Sequence, residues 1–270
     1  MKLNRRLREL IDSNKKELTL LVLLCFSLTT NAQRKENPMI EAVQKFAVST
    51  EHADKFGALP VQSSNGRMIP VNTFSSEILR KLHKSDKIGS LNSDQFLLSL
   101  LAMPDMWMRV PLIAISNSEL AGFYNLTEGQ SAYIEMFDSN GNYKLQEGVE
   151  GAYNKMPNER SRFDKDLLKL DEQVNIMHQL INGQMLNLFP KEDDPNHTWY
   201  ASGDDLSVFA GKDSMFVSRV MDWYISEVQT ALKSADWTKA NEVLGMIATY
   251  QDAKSGTLII DHEKLASEIK

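Results

Sequence analysis

Cysteine is almost absent from this 270-residue chain, and the single cysteine, Cys25, lies within an apolar run near the N-terminus. The sequence that follows this run has no thiol. It can therefore form no disulfide and cannot pass electrons to the paired cysteines of another protein. Any thiol reduction linked to this chain must be done by a different protein.

The sequence also lacks the spacing of known catalytic and metal sites. It has no nucleophile elbow, phosphate loop or dinucleotide-binding glycine pattern. Neighbouring carboxylates such as Asp171 and Glu172 would point about 100° apart on a helix and could not converge on one atom. The histidines are isolated from one another, without the spacing of zinc ligands; they are His52, His83, His178, His197 and His262. We therefore predict no catalytic residue, no metal site and no cofactor held by this chain alone.

The chain has fewer basic than acidic residues, with 30 Lys and Arg against 36 Asp and Glu, so its net charge is −6. A surface of this sign repels nucleic acid, which we exclude as a partner. Six of the 30 basic residues nevertheless precede the apolar run Leu18 to Leu28. That run is shorter than the roughly 20 residues that span a bilayer, and small residues follow it. Residues 1–32 are thus predicted to be a signal peptide for export, which puts the remainder of the chain outside the cytoplasm.

Apolar residues recur at helical spacing along most of the remaining chain, which predicts a mainly α fold. The longest pattern predicts one central amphipathic helix from Asp164 to Phe189, and a helical hairpin is predicted near the C-terminus. Val110 to Ile115 predicts a minor extended component. We expect an N-terminal part, residues 33–162, and a helical C-terminal part, residues 163–270, to pack together as one domain.

Residues 52–81 are the most informative stretch. Pro60 and Pro70 restrict their own φ angles and those of the preceding residues, while Asn65-Gly66 favours a tight turn between them. This predicts an extended loop that runs out, turns and returns. Asn72 or Thr73 is then expected to cap a helix. Before the loop, a single helix is expected at residues 38–54, and His52 is expected to lie at its end.

The same stretch, HADKFGALPVQSSNGRMIPVNTFSSEILRK, resembles the motif H-A-x-x-F-G-x-L-P-V-Q…G-R-x-x-P-x-x-T…L-R-K. That motif is found in cytochrome c biogenesis proteins of the Bacteroidetes type, in which the ResB-like and CcsA-like halves of the System II machinery are fused. The stretches FDSNGNYKLQEGV, residues 137–149, and FDKDLLKLDEQVNIMHQLINGQMLNLFPKEDDPNHTWYAS, residues 163–202, resemble the extracytoplasmic region of that family in matching order.

The resemblance implies a docking or support domain in the delivery of haem and its attachment to cytochrome c. Because proteins of that family carry membrane helices before this domain, it also implies a membrane anchor as the alternative for residues 1–32, with the remainder at the periplasmic face of the cytoplasmic membrane. The wider system would handle the haem, and the expected partners are its membrane-embedded haem-handling part and apocytochrome c. His52, Gly66 and Arg67 are the candidate interaction residues within the resembling stretch. Arg67 would either bind a carboxylate, such as a haem propionate, or fix the loop; His52 would either bond backbone groups or face a ligand. The alternative function is a periplasmic helical scaffold unrelated to haem.

Overall fold

Helices account for most of the residues that the structure describes, which confirms the mainly α prediction. The computed structural model describes residues 37–255 and 260–269, so the predicted signal peptide or anchor at residues 1–32 lies outside the described residues. The chain from Asn37 onward forms one compact unit. Among the described residues, no helix has the length and apolar character that a membrane span requires.

The helices are numbered in chain order. They are α1 (Pro38–Lys45), α2 (Thr50–Gly57), α3 (Val71–His83), α4 (Ser93–Ala102), α5 (Pro104–Trp107), α6 (Ser118–Phe123), α7 (Gln146–Tyr153), α8 (Arg162–Ile181), α9 (Gly211–Val217), α10 (Val220–Ser234), α11 (Thr238–Lys254) and α12 (His262–Glu268). Short 3₁₀ helices occur at Tyr133–Met136 and Leu206–Val208.

The extended component consists of short antiparallel pairs. The strands are β1 (Pro60–Gln62), β2 (Met68–Pro70), β3 (Lys87–Ile88), β4 (Leu91–Asn92), β5 (Pro111–Ile115), β6 (Gly129–Ala132), β7 (Phe189–Pro190) and β8 (Trp199–Tyr200). Each pairs only with its neighbour in this numbering, so the described strands make no larger sheet. The predicted Pro-pinned loop is the β1–β2 hairpin, in which Pro60 lies opposite Pro70.

Helix α8 is the longest of the described helices and lies in the core. Ser161 caps it in a reciprocal box with Asp164, and its apolar stripe is buried. The predicted end at Phe189 is wrong, because α8 ends at Ile181. Asn182 is its C-cap, and Gly183 then adopts a φ of 69°, a left-handed conformation that turns the chain away from the helix axis.

Two predictions about the resembling stretch are corrected. The single helix expected at residues 38–54 is two helices, because α1 ends at Lys45 and the Ser49 side chain caps the start of α2. His52 accordingly lies in the first turn of α2 and does not end a helix. Neither Asn72 nor Thr73 caps α3, which begins directly after Pro70; Asn72 lies inside the first turn, where its side chain reaches Asp94.

The predicted C-terminal hairpin consists of α10 and α11, which pack against each other. The buried face of α10 includes Tyr224, which is fully buried, whereas its neighbour Trp223 is 47% exposed. This placement brings Tyr224 against α2, where it meets His52.

Candidate functional site

His52 joins the start of the resembling stretch to the C-terminal hairpin. Its ring is 1% exposed. Nδ1 lies 2.9 Å from Oδ1 of Asn241, and Nε2 lies 2.9 Å from the hydroxyl of Tyr224. Since the amide oxygen can only accept, Nδ1 carries the proton, and Nε2 accepts the proton of the Tyr224 hydroxyl. Both ring nitrogens are therefore occupied within the fold.

Burial lowers the pKa of His52 and favours the neutral ring that this arrangement needs. Trp237 packs on the ring with a centroid distance of 4.7 Å. Phe56, one turn further along α2, stacks with Tyr224 on the same side of the core. The position and partners of His52 make it a connector between α2 and the hairpin, and its ring presents no nitrogen to solvent.

The contact between Gly57 and Asp94 is a second buried contact made by the resembling stretch. The Asp94 carboxylate is 2% exposed, and it packs directly against Gly57, where any Cβ atom would clash with it. Asn72 donates to Asp94 over 2.7 Å, and the Ser75 hydroxyl also donates to it. Burial raises the pKa of Asp94 in spite of these two donors. This carboxylate thus binds the start of α3 to α4, and the glycine makes the approach possible.

Gln62 links the β1–β2 hairpin to the other long resembling segment. Its side-chain amide donates to the carbonyl of His197 over 2.8 Å and accepts from the backbone amide of Trp199 over 2.8 Å. Its backbone amide donates to the Asn187 carbonyl, and Asn187 donates in return to the Gln62 carbonyl. The stretches 52–81 and 163–202 therefore fold against each other through paired hydrogen bonds.

Gln251 of α11 completes this junction. It is 0% exposed, and its amide nitrogen donates to the carbonyls of Pro60, over 3.0 Å, and Leu188, over 2.9 Å. One side chain thus satisfies carbonyls from both resembling segments. The backbone of β1 is consequently held from two directions, by Gln62 and by Gln251.

The tip of the hairpin, residues 63–67, is half-buried at Ser63 and exposed from Ser64 to Arg67. Gly66 has a φ of 81°, which the turn requires and which only glycine adopts at little cost. Ser63 closes the turn by donating through both its backbone amide and its hydroxyl to the Arg67 carbonyl. The Arg67 guanidinium forms an ion pair with Glu268 of α12. Its side chain nevertheless remains 57% exposed.

The structure therefore separates the predicted interaction residues. Gly66 and Arg67 lie together at the surface, whereas His52 is buried beside Tyr224. No group of His, Cys, Asp or Glu side chains within the described ranges is arranged to hold a metal ion. Sequence reasoning missed Gln62 and Gln251, whose partners are distant in sequence and leave no local pattern.

An exposed aromatic group forms another feature of the surface. Phe123, at the end of α6, is 73% exposed and packs edge-on against Tyr124 and Phe163. These rings line a cavity of about 560 Å³ together with Gly148 and Gly151 of α7. Exposed aromatic surface of this kind is typical of sites that contact another protein or an apolar ligand. This exposed group has no local signature, because an exposed and a buried phenylalanine look alike in a helical pattern.

Comparison of the amino-acid sequence with curated proteins finds a relative that aligns with nearly the whole chain. No family model matches the chain. Protein NrfI of Wolinella succinogenes is 30% identical over 271 aligned residues, an alignment that covers 98% of this chain. The chain spans 29% of the length of that relative.

Proposed function

We propose that this chain is an extracytoplasmic docking or support domain of a cytochrome c biogenesis system, at the periplasmic face of the cytoplasmic membrane. The observation that carries the proposal is the junction at Gln62, where the segments that resemble System II proteins bond to each other. Similarity to Protein NrfI across nearly the whole chain supports involvement in cytochrome c biogenesis.

The rigidity of the β1–β2 hairpin suits a docking role. Its backbone is held by the strand register, by Gln62 and by Gln251, none of which depends on the side chain at the tip. A pre-ordered loop loses little conformational entropy when a partner binds, so more of the contact energy appears as affinity. The guanidinium of Arg67 offers a planar fork of donors suited to a carboxylate.

The proposed partners are the membrane-embedded haem-handling part of the System II machinery and apocytochrome c. Haem itself would be held by the wider system. Within this chain, His52 is a poor candidate for an iron ligand, because Nε2 already accepts from Tyr224 and Nδ1 donates to Asn241. Its coordination to iron would require the buried junction to open.

The hairpin tip can be tested with Arg67→Ala in cells that depend on this protein for cytochrome c maturation. We expect haem-stained c-type cytochromes to fall, while the melting temperature of the purified variant changes little, because the lost ion pair is solvent-exposed. Arg162→Ala is the matched control, since Arg162 is also exposed and also faces a carboxylate, Asp166.

Glu268→Gln tests whether Arg67 serves to recognise a partner or only to attach α12 to the hairpin. It breaks the ion pair but leaves the Arg67 guanidinium in place, so cytochrome levels should remain near those of the wild type. A large drop in the melting temperature of Arg67→Ala would instead make Arg67 a structural residue. Unchanged cytochromes together with unchanged stability would remove the hairpin tip from the docking surface.

A further inference from the structure

Four cationic side chains converge where the end of α3 meets α8. Arg80, Lys81 and Lys84 come from the last turn and C-cap of α3, and Lys169 comes from α8. Together they line a surface cavity of about 490 Å³, which we name the basic cleft. The other residues around it are Glu77, Glu172, Gln173 and Ile176.

The charges in the basic cleft do not balance. Lys81 is paired with Glu172 at 2.7 Å. Lys84 and Lys169, in contrast, form no ion pair with any carboxylate in the part of the chain that the structure describes. Instead they lie beside each other, and the Lys169 ammonium is the main cause of a lowered pKa at Lys84. Two adjacent cations without a shared anion raise the free energy of the folded chain.

The backbone around these lysines is held in place by hydrogen bonds between α3 and α8. Gln173 of α8 donates to the carbonyls of Lys81 and Leu82, over 2.7 and 3.2 Å. These bonds fasten the C-terminus of α3 to α8 and occupy carbonyl oxygens that would otherwise repel an anion. Lys84 has a φ of 62°, a left-handed conformation that is unusual for a lysine and marks the end of α3.

We propose that the basic cleft is a binding site for a small oxyanion, a carboxylate or a phosphate, held between the ammonium groups of Lys84 and Lys169. One such group can accept a hydrogen bond from each lysine and neutralise the repulsion between them. Arg80, at the rim, is an additional donor, and the cavity has room for a ligand larger than a single ion. The concentration of positive charge is notable in a chain whose net charge is −6. This site is separate from the hairpin tip and does not depend on the docking role.

The test measures thermal stability of the purified full chain with increasing inorganic phosphate or succinate, at an ionic strength kept constant with sodium chloride. A ligand that binds only the folded state raises the melting temperature in a saturable manner. We expect this for wild type, with an apparent dissociation constant at least about tenfold weaker in Lys169→Gln, since one of two charge-assisted bonds is lost. Lys165→Gln is the matched control, because Lys165 is an exposed lysine one turn away on α8 that does not line the cleft.

A second readout separates binding from a general charge effect. In chloride buffer without oxyanion, Lys169→Gln should melt at or above the wild-type temperature, because the repulsion on Lys84 is removed. A response to phosphate alone would identify the ligand class as phosphate, and a response to succinate would extend it to carboxylates. The proposal is overturned if wild type shows no saturable response beyond that of chloride. It is equally overturned if Lys165→Gln and Lys169→Gln lose the response alike.

Discussion

Replacing His52 by alanine tests whether the buried junction between α2 and the C-terminal hairpin stabilises the domain as the structure indicates. The variant leaves the Tyr224 hydroxyl, which is buried, without an acceptor. An unsatisfied buried donor costs about 1–3 kcal/mol. If roughly 50 Å³ of the space beside Trp237 stays empty, the cavity adds about 1 kcal/mol. We therefore expect a loss of about 2–4 kcal/mol, against a typical total stability of about 5–15 kcal/mol.

Urea unfolding followed by tryptophan fluorescence is a suitable assay, since Trp237 packs on the His52 ring. Tyr224→Phe and the double variant complete a thermodynamic cycle. The double variant should lose less stability than the sum of the single variants, by about 1 kcal/mol, because it has no hydroxyl to leave unpaired. His262→Ala is the control, as this histidine is 61% exposed and pairs with the exposed Asp252.

The reasoning fails if His52→Ala unfolds at the same urea concentration as His262→Ala. That result would mean that the ring does not form the junction with Tyr224 and Asn241. A normal stability combined with defective cytochrome maturation would instead favour a ligand-facing role for His52.

Three further predictions concern the core, the pH dependence and haem. Met177→Asp should unfold the domain, because Met177 is 0% exposed and an unpaired carboxylate there costs several kcal/mol; circular dichroism melting would show a parent-like curve if the stripe of α8 faced a partner instead. Burial lowers the pKa of both His52 and His83 in the folded chain. As the pH falls below the ordinary histidine pKa of about 6.5, the unfolded chain therefore binds protons that the folded chain does not bind. Stability from these groups is thus present above that pH and is lost as the pH falls, and the urea midpoint of His52→Gln should depend less on pH between 5 and 7.5 than that of wild type; an unchanged dependence would remove His52 from this effect. Haem titrated into the purified chain should give no sharp Soret shift at submicromolar affinity, and such a shift that disappeared in His52→Ala would contradict the buried role of that histidine.

Local signals predicted the parts of the fold that depend on a few neighbouring residues. The turn at Asn65-Gly66 follows from the conformational preferences of two adjacent residues, and it is present. The predicted end of α8 lies beyond the observed end at Ile181, because Met185 and Leu188 continue the apolar spacing. Leu188 is indeed buried, but tertiary packing buries it in an extended segment, and spacing alone cannot distinguish that case from a helix.

The site was less accessible to sequence reasoning, since its contacts join distant segments. Arg67 directly follows the predicted turn at Asn65-Gly66, yet its partner Glu268 is 201 residues away in the sequence. The pairing of Gln62 with Trp199 spans 137 residues. Glutamine has no strong local preference that would have revealed either this pairing or the role of Gln251. The basic cleft likewise needs two helices, of which the sequence shows only the basic end of α3.

The dependence of β1 on Gln251 also sets an order of events during synthesis. The carbonyl of Pro60 cannot accept its hydrogen bond until Gln251, which lies 191 residues downstream, has been synthesised. At translation rates of about 5–20 residues per second, that interval is roughly 10–40 s. Val61 is 0% exposed in the folded domain. During this interval, Val61 and its neighbours are not fully buried by the rest of the domain. A newly made chain would therefore remain sensitive to proteolysis and self-association until its last long helix emerges, and a holding chaperone would be most useful in that interval.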